Sequence, residues 1–230
     1  MELSFIIVNY NVTDLLRNCL LSIEKFVEEI QYEIIVIDNQ SPDQSWKDLK
    51  NEFTNVRFIE NEMNEGFSKA NNKAIKYAQG DYILLLNPDM LNSFKKLFFN
   101  SKDENTKSYY RNDIDEYGIA EVEVITGAFL LCERQKYLDI GGLDEDYFMY
   151  GEDIDLCYTF MLNSYQNYYY GAMSILHIKG ESTTKDKVYL DRFYGAMDIF
   201  VKKYYQKTPI QLLFLKIGLK IKHRLELLKL

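Results

Sequence analysis

Glu152 and Asp153 are adjacent carboxylic acids between the aromatic segment Phe148–Tyr150 and an apolar run that predicts a helix. Like charge and partial burial both raise the pKa of a carboxyl group. One acid of such a pair can therefore accept a proton near neutral pH while hydrogen bonds fix its neighbour. The pair fits general-base chemistry. It also fits an ordinary helix N-terminus, where the helix dipole favours acidic side chains.

Polar side chains follow several apolar runs that predict buried strands. The runs are Leu3–Asn11, Tyr32–Asn39 and Tyr82–Leu86, and Val56–Ile59 predicts a further short strand. Because ligands of parallel sheets bind beyond the carboxyl ends of the strands, we expect a binding site at that edge. The polar residues that this edge would gather are Asn9, Asn11, Asp38, Asn39, Asn87 and Asp89.

Predicted helices alternate with these strands. The first covers Val12 to about Val27 with Thr13 or Asp14 as its cap, the second follows Ser41-Pro42-Asp43, and the third covers Ser68–Ala78. This alternation predicts an α/β fold, a doubly wound and mostly parallel central sheet flanked by helices.

The composition is typical of a single intracellular enzyme domain. A chain of 230 residues can bury one substantial core. Cys19, Cys132 and Cys157 lack metal-ligand spacing, which predicts reduced core residues in a reducing compartment. We expect no secretory leader and no membrane-spanning helix. The net charge of −8 argues against nucleic-acid binding, although a metal ion can still bring a nucleotide to an acidic protein.

A series of short motifs runs along Leu3–Thr183. It comprises Ile7–Asn11, Ile37–Asp43, Asn64–Phe67 with Asn71-Asn72, Asn87-Pro88-Asp89, Thr126–Phe129, Gly141–Glu145, Gly151–Leu156 and His177–Ser182. This ordered set resembles family 2 glycosyltransferases, specifically their bacterial rhamnosyltransferase-like branch. The resemblance implies the GT-A fold and a nucleotide-sugar donor.

Carried over by position, the resemblance implies that Asp38 hydrogen-bonds the pyrimidine base of the donor, because a ring imide N–H suits a carboxylate acceptor. The other implied donor positions are Asn9 and Asn11 in the same pocket, Asn64, Gly66 and Asn71 in a donor-binding loop, and Asn87 at the ribose. Asp38 can also be a strand-end turn residue, and Gly66 a turn glycine with positive φ.

Asn87-Pro88-Asp89 stands where many GT-A enzymes have Asp-x-Asp, so the resemblance implies that Asp89 is a metal ligand, with His177 as a second. A divalent cation, Mn²⁺ or Mg²⁺, would neutralise the charge that develops on a diphosphate leaving group. Asn-Pro-Asp is also a good turn sequence, and a lone histidine often does no more than hydrogen-bond.

The same resemblance implies that Asp153 is the general base, that Glu152 orients the acceptor or tunes Asp153, and that Asp155 caps or salt-bridges within its helix. The predicted function is an inverting glycosyltransferase that moves a sugar from a nucleoside-diphosphate sugar, such as dTDP-rhamnose, to a polysaccharide or lipid-linked saccharide. One alternative is a non-catalytic nucleotide-sugar-binding or scaffold member of the fold. Another is a sugar nucleotidyltransferase, but its Gly-rich phosphate loop is absent after Val8.

The segment 208–230 is a basic, apolar stretch in an otherwise acidic chain, and it predicts an amphipathic helix outside a glycosyltransferase domain of residues 1–207. Such a helix is typical of a peripheral membrane anchor, which would place the protein in the cytoplasm at the inner face of the membrane. The alternative is a helix whose apolar stripe packs on the domain or on a second copy in a homodimer.

The segment between Asp89 and Thr126 is shorter than the resemblance implies, because the family places another strand and part of the acceptor region there. We expect residues to be missing between Asp89 and Phe94. Neighbouring Cα atoms more than about 3.8 Å apart would reveal the break.

Overall fold

The computed structural model describes residues 1–91, 114–173, 175–177 and 186–230. The strands are β1 (Leu3–Asn9), β2 (Tyr32–Asp38), β3 (Val56–Glu60), β4 (Tyr82–Leu86), β5 (Met90–Leu91), β6 (Ile119–Val122), β7 (Phe129–Glu133), β8 (Asn167–Tyr170) and β9 (Leu176–His177). The α-helices are α1 (Thr13–Phe26), α2 (Leu49–Glu52), α3 (Gly66–Ile75), α4 (Arg134–Asp139), α5 (Glu152–Leu162), α6 (Lys187–Tyr205) and α7 (Pro209–Leu227). The expected break before Phe94 lies outside the described residues.

A five-stranded sheet with the order β3-β2-β1-β4-β7 forms the centre of the fold. The first four of these strands are parallel to their neighbours, and β7 runs antiparallel to β4. The chain winds outward from β1 through β2 to β3 and then returns to place β4 on the other side of β1. This reversal is a topological switch point, where such sheets bind ligands. The register sets Asn9 opposite Asp38 at the carboxyl edge.

Helices cover both faces of the sheet, which confirms the predicted doubly wound architecture. Side chains alternate along each strand, so Phe5 and Ile7 pack with α1 on one face. Ile6 packs on the other face with Ala70 and Ala74 of α3. Full burial of one such aliphatic side chain is worth about 1.5–3 kcal/mol. The continuous apolar runs of the strands therefore reflect burial from both sides.

The helices differ from the predictions in three places, and the first is α3, which covers Gly66–Ile75 where Ser68–Ala78 was predicted. Val12 is the N-cap of α1, without a side-chain hydrogen bond, so the predicted cap at Thr13 or Asp14 was wrong. The Thr13 hydroxyl instead accepts a hydrogen bond from Ser45, 2.9 Å away. After Ser41-Pro42-Asp43 the chain forms a 3₁₀ turn over Gln44–Asp48 before the short α2.

Two small antiparallel sheets extend the fold beyond the central one. β5 pairs with β9, which sets the backbone of Met90 opposite that of His177. β6 pairs with β8, and β8 contacts α5 through the hydrogen bond from Asn167 Nδ2 to the Cys157 carbonyl, 3.1 Å long. The pairing of β5 with β9 brings the segment after Asp89 beside the segment that contains His177.

The chain continues into two packed helices, α6 and α7. The imidazole ring of His223 on α7 stacks on the ring of Tyr194 on α6, with the centroids 4.9 Å apart. Among the described residues, no helix combines the length and the apolar character needed to cross a bilayer. Cys19, Cys132 and Cys157 are free thiols.

Candidate active site

A buried carboxylate joins the ends of β1 and β2. Asp38 is fully buried, and its Oδ1 accepts hydrogen bonds from Asn9 Nδ2 at 2.7 Å and from Ser41 Oγ at 2.6 Å. Its Oδ2 accepts from the Ser41 backbone N–H at 2.9 Å. The Asn11 N–H donates to Ser41 Oγ at 2.8 Å. An ionised carboxylate has about four lone-pair sites, so these bonds fix the loop and leave Asp38 capacity for one more donor.

Asn39 connects this edge to the loop before α3. Its Nδ2 donates to Asn64 Oδ1 at 2.9 Å and to the Gly66 carbonyl at 3.1 Å. Its Oδ1 accepts from Asn61 Nδ2 at 3.0 Å and from the Glu65 N–H at 2.9 Å. The side chain of Asn39 is therefore fully used in holding the loop. Sequence reasoning missed Asn61, although Asn61 directly follows β3 and the strand-end rule could have found it.

Gly66 brings this loop against the segment that precedes the acidic pair. Its φ is +82°, and a Cβ at this position would overlap the carbonyl oxygen of Phe148. The next N–H, that of Phe67, donates to the same oxygen at 2.7 Å. Glycine is required here for both its backbone angle and its lack of a side chain. The loop that contains Gly66 and the segment that precedes Glu152 thus meet at one backbone contact.

The predicted donor residue Asn71 occupies a different environment. Its side chain is buried in α3, and its Nδ2 donates to the Phe67 carbonyl one turn earlier at 2.9 Å. The structure therefore shows Asn71 supporting the first turn of α3. Its contact with a donor stays a prediction.

Asn87-Pro88-Asp89 forms a turn between β4 and β5. The Met90 N–H donates to the Asn87 carbonyl at 3.1 Å, and the Asn87 N–H donates to the Ala128 carbonyl at 3.0 Å. Asp89 is only 7% exposed. Burial, together with the nearby charge of Asp89, raises the pKa of the Cys19 thiol to about 12. The turn interpretation is thus confirmed, and it leaves a buried carboxylate at the end of β4.

The structure describes only part of the predicted metal site. The structure describes the backbone of His177, which lies opposite Met90, but not its side chain. In the described parts of the chain, no cluster of three His, Cys, Asp or Glu side chains could hold a metal ion. The buried carboxylate of Asp89 suits a hard divalent cation. Shared ligation by Asp89 and His177 stays a prediction.

Asp153 lies in the first turn of α5 with a fixed carboxylate. Its Oδ2 accepts from the Gly127 N–H at 2.9 Å, and its Oδ1 accepts from the Ile154 N–H at 2.8 Å. A Cβ at Gly127 would lie 3.2 Å from the Asp153 Cβ, so glycine permits this approach. Ala128, the residue after Gly127, is bonded to Asn87. Asp153 is therefore tied to the end of β4 through one short segment.

Glu152 differs from its neighbour in burial and in hydrogen bonding. It is 7% exposed, and its Oε2 has no hydrogen-bond partner among the described residues. Burial, followed by the charge of Asp153, raises the pKa of Glu152 to about 7. The acid with the raised pKa is thus Glu152, whereas hydrogen bonds hold Asp153, the residue predicted as the base.

An ion pair with a lysine of α6 supports the first turn of α5. Asp155 is 2% exposed, and its Oδ2 lies 2.8 Å from Lys203 Nζ. Lys203 Nζ also lies 2.6 Å from Asp144, and the Tyr147 hydroxyl donates to Asp155 Oδ1 at 3.2 Å. Burial of the ammonium is outweighed by these carboxylates, which raise the pKa of Lys203. The expectation that Asp155 pairs within its own helix was wrong, because its partner lies on α6.

Comparison with known proteins shows where the chain belongs. Residues 4–98 match the model of the family described as Glycosyl transferase family 2. Rhamnosyltransferase WbbL of Escherichia coli is 25% identical over 219 residues, which cover 75% of this chain and 81% of WbbL. These matches support the resemblance to family 2 glycosyltransferases that the sequence motifs predicted. An N-acetylglucosaminyl-diphospho-decaprenol L-rhamnosyltransferase of Mycobacterium tuberculosis is 35% identical over 77 residues, covering 34% of this chain and 25% of that protein.

A solved structure supports the fold assignment. The crystal structure of GalNAc-T7 with UDP, GalNAc and Mn²⁺ superposes with a TM-score of 0.66 at 15% identity, covering 97% of this chain. The chain spans 54% of the GalNAc-T7 chain. The likeness shows that this chain has the GT-A fold, as the sequence predicted.

Gly66→Ala should destabilise the protein by about 1–3 kcal/mol, because it forces alanine into positive φ and against the Phe148 carbonyl. Urea unfolding measures the loss. Gly195→Ala is the matched control, since a Cβ on this α6 glycine meets nothing within 4 Å. Alanine is the better helix former, so the control should be neutral or stabilising. Equal effects of the two substitutions would contradict the proposed contact.

Glu152 should make stability depend on pH. Below its ordinary pKa of 4.5 both the folded and the unfolded chain hold the proton. As the pH rises to about 7, the unfolded chain releases the proton first, so stability falls by about 3 kcal/mol. Glu152→Gln should remove this component of the urea-unfolding profile between pH 4 and pH 8. Glu62→Gln, at an exposed position, should keep the wild-type profile. Parallel profiles for all three proteins would disprove the assignment.

Proposed function

We propose that this chain is an inverting glycosyltransferase that moves a sugar from a nucleoside-diphosphate sugar to an acceptor hydroxyl. The observation that carries the proposal is that hydrogen bonds hold the donor-side loop against Phe148, four residues before Glu152, and hold Asp153 beside Gly127. Asn39 holds the loop at Gly66, Gly66 meets Phe148, and Gly127 holds Asp153. A single site can therefore hold both reactants. The machinery lies in residues 1–207.

The donor lies along the ends of β1, β2 and β4 in this proposal. Asp38 accepts from the imide N–H of a pyrimidine base, with Asn9 and Asn11 around it and Asn87 at the ribose. Two features support this placement: the switch point between β1 and β4, and the spare acceptor capacity of Asp38. The name of the related WbbL, a rhamnosyltransferase, favours dTDP-rhamnose as the donor.

Asp89 and His177 are the residues that would hold a divalent cation, Mn²⁺ or Mg²⁺. The buried carboxylate of Asp89 at the end of β4 supports this role. Mn²⁺ accompanies UDP in the structure of GalNAc-T7, which shares the fold. When bound, such a cation neutralises charge that develops on the departing diphosphate.

Asp153 accepts the proton of the acceptor hydroxyl while the oxygen attacks the anomeric carbon on the face opposite the diphosphate. This in-line displacement inverts the configuration at that carbon. Attack needs base, oxygen and carbon in line at contacts of about 3 Å, and the hydrogen bonds from Gly127 and Ile154 hold the carboxylate for this geometry. Glu152 tunes Asp153, because protonation of Glu152 removes a neighbouring negative charge.

The acceptor in this proposal is a polysaccharide or a lipid-linked saccharide used in cell-envelope synthesis at the inner face of the cytoplasmic membrane. The M. tuberculosis relative is named as a rhamnosyltransferase of N-acetylglucosaminyl-diphospho-decaprenol, a lipid-linked sugar. That relative matches 34% of this chain. The assignment of the acceptor therefore needs a test separate from that of the donor.

Asp153→Asn should lower sugar transfer by about 100-fold or more, because it removes the proton acceptor. Binding of the nucleoside diphosphate, measured by calorimetry, should stay near that of the wild type, since Asp153 makes no donor contact. Asp146→Asn, in the exposed part of the preceding loop, is the control. Transfer at the wild-type rate by Asp153→Asn would assign the base elsewhere. Nucleotide binding without any transfer by the wild type would favour a non-catalytic binding protein.

Asp89→Asn should weaken Mn²⁺-dependent nucleotide binding by about 10-fold or more, because it removes a charged metal ligand. His177→Ala should have a comparable effect if the two residues share the ion. Calorimetric titrations with and without Mn²⁺ measure both. Asp81→Asn, at the opposite end of β4, should leave the affinity unchanged. An unchanged metal dependence in Asp89→Asn would remove Asp89 from the site.

A further inference from the structure

The helix α7 packs on α6 through one face only. Its partly buried side chains are spaced four, three and four residues apart, which places them on one side of a helix. They are Leu212, Lys216, Leu219 and His223, and the same side continues to Glu226 and Leu227. His223 is the centre of this contact, because its ring stacks on Tyr194 and its Nε2 lies 3.0 Å from Asp191 Oδ1.

The opposite face of α7 is an exposed apolar stripe. Its residues also recur every three or four positions, and they are Ile210, Phe214, Ile217, Ile221, Leu225 and Leu228. The exposed fractions reach 69% for Phe214 and 83% for Leu228. We call this set the α7 stripe. The alternative raised by the sequence, that the helix buries its main apolar stripe on the domain, is wrong for these residues.

Basic side chains border the α7 stripe on both sides. At 100° per residue, Lys220 and Arg224 lie along one border, and Lys222 and Lys229 lie along the other. The acidic residue of this helix, Glu226, lies on the packed side and bonds to Lys229 at 2.6 Å. An apolar stripe between cationic borders is thus displayed by a protein whose net charge is −8.

We propose that the α7 stripe is a docking face for an anionic lipid surface. Apolar side chains enter the boundary between headgroups and acyl chains, while the flanking lysines and arginine contact anionic headgroups. The basic residues recur too often along the helix for it to cross a bilayer, so α7 lies in the plane of the surface. A second copy of the chain fits this face poorly, because a two-fold pairing would set cationic borders against each other.

A series of aromatic rings on α6 connects His223 of α7 to Tyr150, in the segment before the acidic pair. His223 stacks on Tyr194, the ring of Phe193 lies 5.5 Å from that of Tyr194, and Tyr150 lies 6.5 Å from Phe193. Tyr150 is two residues before Glu152. Docking through α7 therefore holds the domain at the lipid surface, with α6 between α7 and Tyr150. This step rests on the proposed function, and it selects an acceptor that is anchored in lipid.

The test compares two triple variants with the wild-type chain by vesicle sedimentation. The docking variant carries Ile217→Ser, Ile221→Ser and Leu225→Ser, and the control carries Ile119→Ser, Leu131→Ser and Leu162→Ser at similarly exposed positions. Vesicles are phosphatidylcholine with or without phosphatidylglycerol. We expect wild type and control to bind the anionic vesicles, more weakly at high salt. The docking variant should bind at least about 100-fold more weakly.

Wild-type protein that stays in the supernatant with anionic vesicles would overturn the proposal. So would a wild-type dimer in solution that the docking variant converts to a monomer while vesicle binding is unchanged, since that result assigns the stripe to a second copy. Circular dichroism confirms that each variant is folded. Nucleotide binding without vesicles should be equal in all three proteins. Loss of docking and loss of the glycosyltransferase assignment are therefore read from separate measurements.

Discussion

The full burial of the Asp38 carboxylate is the constraint on which the donor edge depends. A buried carboxylate is tolerated only when hydrogen bonds replace its hydration. Its donors come from Asn9 on β1 and from Ser41 in the following loop, so satisfying Asp38 also fixes the register and the loop. Asn39 then carries the same order to Gly66 and onward to Phe148. The hydrogen bonds that satisfy the Asp38 carboxylate thus also fix the geometry of this edge.

The acidic first turn of α5 is held by one ion pair and by backbone hydrogen bonds. Asp153 accepts hydrogen bonds from backbone N–H groups of two different segments, whereas Asp155, two residues further along the same helix, is paired with Lys203. Glu152 alone keeps an oxygen without a partner among the described residues. The acidic first turn of α5 therefore contains three carboxylates in three different environments, which is how neighbouring acids can take separate roles.

The parts of the fold that are governed by local pattern could be predicted. Continuous apolar runs fixed the strands to within a residue or two, because burial on both faces leaves no other pattern. Features governed by distant partners could not. Thr13 bonds to Ser45, and Asp155 pairs with Lys203, far along the chain in both cases. The raised pKa of Glu152 depends on burial that its neighbours in sequence do not reveal. Composition predicted an amphipathic α7, but only the packing on Tyr194 shows which face is exposed.

The pairing of Lys203 with Asp155 sets a lower limit on the length of chain that keeps the first turn of α5 stable. The family match ends at residue 98, yet the helix that presents Asp153 is braced by a lysine near the end of α6. A fragment cut before Lys203 would keep the donor edge and the acidic pair but leave Asp155 as an uncompensated buried charge, a loss of about 3 kcal/mol. A shortened form of this chain should therefore keep α6, because α6 supplies the lysine that pairs with Asp155.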